Sequence, residues 1–369
     1  MHILVTGSNG LIGSEAVAYF DSQGHCVIGV DNNMRRVFFG RHGDTTWKLK
    51  YLKGITKHFV HHDIDIRDRE RVFKLFKDHS FDLIIHCAAQ PSHDKAAEIP
   101  VIDFEVNALG TMNLLEATRQ YCPDAIFILM STNKVYGDAP NELLLKELPT
   151  RYDYARPEDF EGIDENCRLD QSLHSIFGAS KVAADIMAQE YGRYYGLKVG
   201  TFRGGCMTGP NHSGVELHGF LSYLVKVALA GQTYTIYGYK GKQVRDNIHS
   251  YDVIRAIEEF AGNPQPGEVY NIGGGRKNSI SILEAINVIE EMTDREIRHV
   301  YRNPPRKGDH ICYISNLQKF KEHYPNWKII NDLKSILESI IVAWKEKSTT
   351  KKVFHFQRDS IVRSSAATK

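Results

Sequence analysis

The segment Gly7-Ser8-Asn9-Gly10-Leu11-Ile12-Gly13 follows a short apolar run and opens a stretch of helical spacing. Glycine at 7, 10 and 13 lets the chain turn tightly and lets a pyrophosphate come close to bare backbone. The N-terminus of the helix that follows offers N–H groups and a favourable dipole to that anion. Contacts are expected from Asn9, Leu11 and Ile12 in the same turn. Asp31 ends the next apolar run, with Asn32 beside it. A carboxylate there suits a ribose 2′-hydroxyl and repels a 2′-phosphate. The combination points to a dinucleotide site that takes NAD rather than NADP, although Arg35 and Arg36 stand close enough to keep NADP in view.

The glycine spacing is GxxGxxG, and with it the sequence resembles the extended short-chain dehydrogenase/reductase family. Asp65-Ile66 matches that family's acid after the third strand, which contacts adenine. His86-Cys87-Ala88-Ala89-Gln90 matches its H-x-A-A segment, and Asn107-Ala108-Leu109-Gly110-Thr111 its N-x-x-G-T helix. The resemblance implies a Rossmann-type doubly wound parallel sheet. It adds Asp65, Ile66, Ala88, Ala89, Gln90 and Asn107 to the cofactor site.

Ser131-Thr132-Asn133-Lys134-Val135-Tyr136-Gly137 follows the fifth apolar run. By resemblance, Thr132 hydrogen-bonds the reacting sugar hydroxyl. The family's Y-x-x-x-K helix is represented by Phe177-Gly178-Ala179-Ser180-Lys181. Lys181 stands four residues on, on the same helical face, and the resemblance gives it the nicotinamide ribose. Residue 177, the tyrosine position, has no hydroxyl, and a phenyl ring exchanges no proton at any pH. Three accounts stay open: an inactivating replacement of Tyr by Phe, a substitute base, or a protein that binds without catalysing. Candidates for the base are His174, one helical turn before Phe177 and of suitable ordinary pKa, then Lys134, Lys181 and Cys206.

Dehydratases of this family carry Asp-Glu after the Thr. Here those positions are Asn133 and Lys134, so elimination of water is not expected. The strand-end segment, with Thr150-Arg151-Tyr152, Leu169-Asp170-Gln171, Gly178–Asp185 and Gly241-Lys242-Gln243-Val244-Arg245-Asp246, is similar to the CDP-paratose 2-epimerase branch. Phe177 and Cys206 depart from that branch. The resemblance implies epimerisation at C2 of a CDP-hexose by transient oxidation, with NAD retained. Arg245 matches the family's diphosphate arginine, whose planar guanidinium suits a bidentate contact. Pro305-Arg306-Lys307-Gly308-Asp309 matches P-x-R-x-G-D, with Arg306 to the phosphates and Asp309 to the ribose. Asn133, Cys206, Asn211 and His218 are further expected substrate contacts. Other outcomes on the same site are a different epimerisation, decarboxylation, or net oxidation or reduction. Relatives pair through the two motif helices, which implies a homodimer.

These residues need elements to hold them. Ile3–Thr6, Cys26–Val30, Leu83–Cys87 and Ala125–Met130 read as buried parallel strands. Helical spacing lies between them, as at Ala108–Tyr121, and alternation of the two gives an α/β doubly wound sheet. A helix is expected over Ser172–Tyr195 and a strand over Leu197–Phe202. Residues 138–172 carry three prolines and no clear period, and a loop of that length is usually functional or mobile. Further helices are expected near Leu217–Leu229, Asp252–Ala261, Ile280–Met292 and Asn331–Lys345. The expected division is a cofactor domain over 1–203, completed by parts of 235–275, and a smaller, mostly helical C-terminal substrate lobe over 204–345. A mobile polar tail would fill 346–369.

Composition sets the outer bounds. The 369 residues carry 46 Lys+Arg against 45 Asp+Glu, so the net charge of +1 gives no reason to expect nucleic acid or an acidic membrane as partner. Apolar residues at 42% exclude a disordered chain. The six cysteines form no C-x-x-C pair, which speaks against a metal ribbon or a secreted disulfide scaffold. No signal peptide and no apolar run near the ~20 residues of a membrane span are visible. A reduced, cytoplasmic setting without a metal is expected.

Overall fold

A computed structural model describes residues 1–346 except 213, 217, 218, 304, 306 and 307, with only the backbone described at His42. The tail expected over 346–369 lies, from 347 onward, outside the described residues. Seven parallel strands make the central sheet: β1 (His2–Thr6), β2 (Cys26–Val30), β3 (Phe59–His62), β4 (Leu83–His86), β5 (Ile126–Thr132), β6 (Lys198–Gly204) and β7 (Glu268–Ile272). Their order is β7-β6-β5-β4-β1-β2-β3. The chain winds outward from β1 in both directions, so a crevice opens above the C-terminal ends of β1 and β4.

The apolar runs form strands because both faces are covered. Ile3 and Val5 of β1 point into one core with Phe20, Ile85, Phe202 and Phe260. Leu4, between them, points into the other with Ile84, Phe127, Leu115 and Tyr191. Alternation of side chains along a strand makes one run serve two cores. β3 and β7 are the strands not read from apolar runs. The sequence of β3, Phe-Val-His-His, sits half exposed at the sheet edge, where no second core demands apolar residues.

The smaller lobe packs the Phe220–Ala230 and Ile282–Thr293 helices and a helix over 333–346 around Leu224, Ile286, Ile289 and Leu337. Parallel pairing of Tyr234–Tyr237 with His299–Arg302 closes one side. The chain passes between lobes more than once. The Ser250–Gly262 helix and β7 return to the sheet, and so do Phe320, Tyr324 and Trp327. Residues 138–172 are not a bare loop. Leu145–Glu147 pairs antiparallel with Tyr152–Tyr154. Thr150 and Arg151 then bond Glu284 of the smaller lobe, and Asp153 bonds Arg276 at 2.6 Å.

A buried ion pair ties the elements below the crevice. Arg203 of β6 donates two hydrogen bonds to Asp185, at 2.8 and 3.1 Å, and one to the Tyr136 hydroxyl at 3.2 Å. Asp185 lies on the Ser175–Arg193 helix and also accepts from Ser131 at the end of β5 and from Gln189. The Arg203 and Asp185 side chains are 4% and 0% exposed, so neither charge has water to fall back on. Asp185→Asn strands the guanidinium without its counter-charge and is expected to cost about 3–5 kcal/mol. A urea midpoint equal to wild type would contradict this.

Candidate active site

At the crevice the turn after β1 is shaped by its glycines. Gly7 has φ +66°, and a Cβ there would sit 2.8 Å from the Ala88 nitrogen. A Cβ on Gly13 would strike the Gly7 carbonyl. The helix Leu11–Ser22 starts directly behind, so an anion can approach its first amides. Asn9 donates its backbone N–H to Asp31 at 3.0 Å, and Asn33 donates to the same carboxylate at 2.8 Å. Burial pushes the Asp31 carboxyl up, and these two N–H groups work against that. The Asn9 Oδ1 is buried without a partner among the described residues. A bare glycine turn, an orphaned amide oxygen and a caged carboxylate suit a dinucleotide.

These groups line one end of a cavity of about 500 Å³. Gly7, Asn9, Gly10, Leu11, Ile12, Gly13, Asp31, Asn32, Asp65, Ile66, Ala88 and Ala89 all contribute to its wall. Asp65 is gripped by Arg67 at 2.7 Å; burial alone would raise its carboxyl, but the arginine holds it below the usual range. Gln90 and Asn107, expected to touch the cofactor, do not line the cavity. They are fully buried behind it, where the Asn107 carboxamide accepts from the Gln90 N–H and donates to the Gln90 carbonyl, Asp103 and Ser180. The H-x-A-A and N-x-x-G-T motifs meet in a chain of the same kind. Thr111 donates to the Asn107 carbonyl, His86 bridges Thr111 and Thr6, and Thr6 accepts from the Ala88 N–H. Burial drops the His86 pKa to about 3, so its ring is a neutral strut.

The middle of the cavity is formed by Thr132, Asn133, Phe177 and Lys181. The Thr132 hydroxyl caps the turn Asn133–Tyr136 by accepting from the Lys134 N–H at 3.3 Å. Lys181 Nζ donates to the Met130 carbonyl at 3.0 Å, and burial lowers its pKa to about 8 against the pull of Asp185. Phe177 is buried, its ring centroid 4.9 Å from that of His93. His174 does not reach the cavity. Its ring nitrogens face the carbonyls of Ser172 and Val135 at 2.9 and 2.8 Å, which makes it a brace between loops.

The far end is cationic. Arg245 bonds Asp309 at 2.5 Å, and Lys134 approaches the same carboxylate at 3.4 Å. Burial would raise the Asp309 carboxyl, yet Arg245 and Lys134 hold it far below the usual range. Burial lowers Lys134 to about 8. It also pushes the Cys206 thiol up to about 11, so that thiol stays protonated at neutral pH. Asn211 lines the cavity and accepts from the buried Lys48. His218 and Arg306 lie outside the described residues. The wall also includes Glu216 and Gln243, which lie in segments the sequence points to, and His93 and Asn247, which sequence motifs did not single out. Only the position of His93, three residues after Gln90, could have flagged it. Because Lys134 carries its charge below about 8, affinity for a nucleoside diphosphate is expected to fall as pH rises through about 8. The drop should be roughly tenfold, and Lys134→Met should flatten it in calorimetric titrations.

A family model described as the NAD dependent epimerase/dehydratase family matches residues 3–273. The chain is 33% identical over 327 residues to the CDP-paratose 2-epimerase of Salmonella typhi, covering 86% of this chain and 92% of the relative. In structure it is similar to the UDP-glucose 4-epimerase of Thermus thermophilus in complex with NAD, with TM-score 0.75 and 26% identity over 94% of this chain and 99% of that one. The Thermotoga maritima UDP-glucose 4-epimerase with UDP-glucose gives TM-score 0.73, 26% identity and the same coverage. A glycine cradle at a sheet switch point, and a family match that spans most of the sheet around it, have one reading: the chain belongs to the NAD-dependent epimerase/dehydratase family.

Proposed function

We propose that this protein epimerises a nucleotide-activated sugar by transient oxidation, acting at C2 of a CDP-hexose, as a homodimer in the cytoplasm. The observation that carries the reading is the continuous cavity running from the glycine cradle, past Thr132 and Lys181, to Arg245 and Asp309. The chemistry supplied by bound NAD is reversible acceptance of a hydride from the sugar carbon. Gly7, Gly10 and Gly13 would take its pyrophosphate, Asp31 its adenosine ribose, Asp65 and Ile66 its adenine and Lys181 its nicotinamide ribose. Thr132 orients the sugar hydroxyl, and Arg245 with Lys134 holds the diphosphate. The keto sugar turns over within the cavity, and the opposite face is then reduced. Asn133 and Lys134, where a dehydratase carries two carboxylates, leave no acid–base pair at those positions for eliminating water.

The similarity to the Salmonella enzyme supports the CDP-sugar assignment. Pairing through helices is supported by Met112 and Ile186, exposed on the two motif helices, and by exposed Tyr195 just past the second, whereas Leu115 and Tyr191 on those helices are buried in the core. Val182, on the second of them, packs against the cluster that holds Tyr136 and Tyr313.

The reading is tested by incubating the protein with CDP-, UDP- and GDP-sugars in deuterated water and following C2, C4 and C5 by NMR. A CDP-hexose inverted at C2 without deuterium on carbon is expected. Deuterium at C5 would point to a dehydratase or a 3,5-epimerase instead. Binding without turnover would favour a protein that holds the nucleotide sugar and does not transform it.

A further inference from the structure

Phe177 leaves the reacting hydroxyl without the family's proton acceptor, and the geometry separates the groups that could replace it. His174 is outside the cavity, its ring set against two backbone carbonyls. Lys134 is drawn to Asp309 and the Gly308 carbonyl at the diphosphate end. Lys181 is drawn to the Met130 carbonyl, and the Cys206 thiol stays protonated. His93 stands against the ring that lacks the hydroxyl. It lines the cavity with Phe177, Thr132 and Lys181, and its ring meets the Phe177 ring at 4.9 Å and 48°.

His93 is also held. Its Nδ1 lies 3.1 Å from the Ser175 hydroxyl, which accepts as well from the Gly178 N–H at 3.3 Å. A serine oxygen has one proton and two lone pairs, so it keeps its bond to Nδ1 whether or not that nitrogen carries a proton. With the proton on Nδ1, Nε2 is the basic nitrogen of the ring. Ser175 itself has φ +59°, a left-handed backbone that a serine adopts at a cost and that fixes the hydroxyl at the start of its helix. The ionisable groups that line the cavity include Lys181 from the same helix as Ser175, Lys134, Cys206, Arg245 and Asp309, with Asp31, Arg35, Asp65, Cys87, His212 and Glu216 on other parts of the wall. Asp94 and Lys95 follow on the short helix of His93 itself.

We propose that His93 takes and returns the proton of the reacting sugar hydroxyl in place of the absent tyrosine, held through Nδ1 by Ser175. The proposal rests on the epimerase reading. In the first half-reaction the O–H bond would break, its proton passing to Nε2 and the oxygen's electron pair forming the C=O bond, while the carbon's hydrogen would leave with its electrons as the hydride whose acceptance NAD would supply. In the second half each transfer reverses on the opposite face of the sugar. The imidazolium gives back the proton, and no net oxidation results. Ser175 is a positioning residue in this scheme.

The test compares wild type, His93→Gln, Phe177→Tyr and the double variant as purified NAD-loaded proteins on the nucleotide sugar that wild type turns over. His93→Gln is expected to lower kcat by about 10²–10⁴-fold, with KM, bound NAD and the thermal midpoint near wild type. The rate needs a neutral imidazole, so wild-type kcat should fall on the acid side, where the ring takes up its second proton. That limb should vanish in His93→Gln. Adding Phe177→Tyr should restore most of the rate, which repair of a merely structural defect would not do. Ser175→Ala should give a smaller loss in kcat alone. Wild-type kcat with its acid limb intact in His93→Gln overturns the proposal. So does a loss of bound NAD and thermal midpoint that Phe177→Tyr leaves unrescued. A wild-type protein that binds nucleotide sugars and turns over none overturns the epimerase reading and this proposal with it.

Discussion

The candidate site hangs on one buried ion pair. Arg203 and Asp185 meet bidentately with almost no solvent, between the sixth strand and the long helix that carries Phe177 and Lys181. Ser131, directly across from Arg203 on the fifth strand, donates to the same carboxylate at 2.6 Å, and Thr132 is the next residue. Lys181 lies one helical turn before Asp185. The pair therefore sets the distance between the strand end that presents Thr132 and the helix that presents Lys181. A buried pair of this kind is weak evidence for net stability, but losing one partner is costly. That asymmetry makes it a good spacer, because shifting either element means exposing a charge to a dry interior.

The same economy of solvent explains the electrostatics above it. Burial brings both Lys134 and Lys181 down to about 8, so each holds its proton at neutral pH with little to spare. Asp309 answers two cations at the far end of the cavity, Arg245 and Lys134. Under the proposed function a diphosphate arriving there would exchange one anion for another, so the cations would be left uncompensated in neither state. At the cofactor end Asp31 is caged by backbone N–H groups, with Arg35 on the same wall. The neutral total charge of the chain conceals these charges gathered inside one cavity.

Much of this was legible in the residues. The glycine turn, Asp31 and the continuous apolar runs announce a doubly wound sheet because parallel strands buried on two faces can be little else. The third strand escaped, since an edge strand of Phe-Val-His-His needs no apolar run. Residues 138–172 escaped for another reason. Their order comes from ion pairs to Glu284 and Arg276, partners far along the chain that leave no local period. Within the site, Gln90 and Asn107 have the right motif but stand one layer back, because a motif marks an element and not the direction of its side chains. His174 was chosen by helical spacing, and the left-handed turn at Ser175 breaks that spacing. His93 reaches Phe177 only through the fold, from a helix far away in sequence.

The central claim is that the sugar carbon gives up its hydrogen to bound NAD and takes the same hydrogen back. It is tested most directly with a CDP-hexose carrying deuterium at C2, incubated with the protein in ordinary water and followed by NMR. The account predicts an epimer inverted at C2 that retains its deuterium. An epimer that has exchanged that deuterium for solvent protium would contradict it, because the carbon would then have been deprotonated and not oxidised.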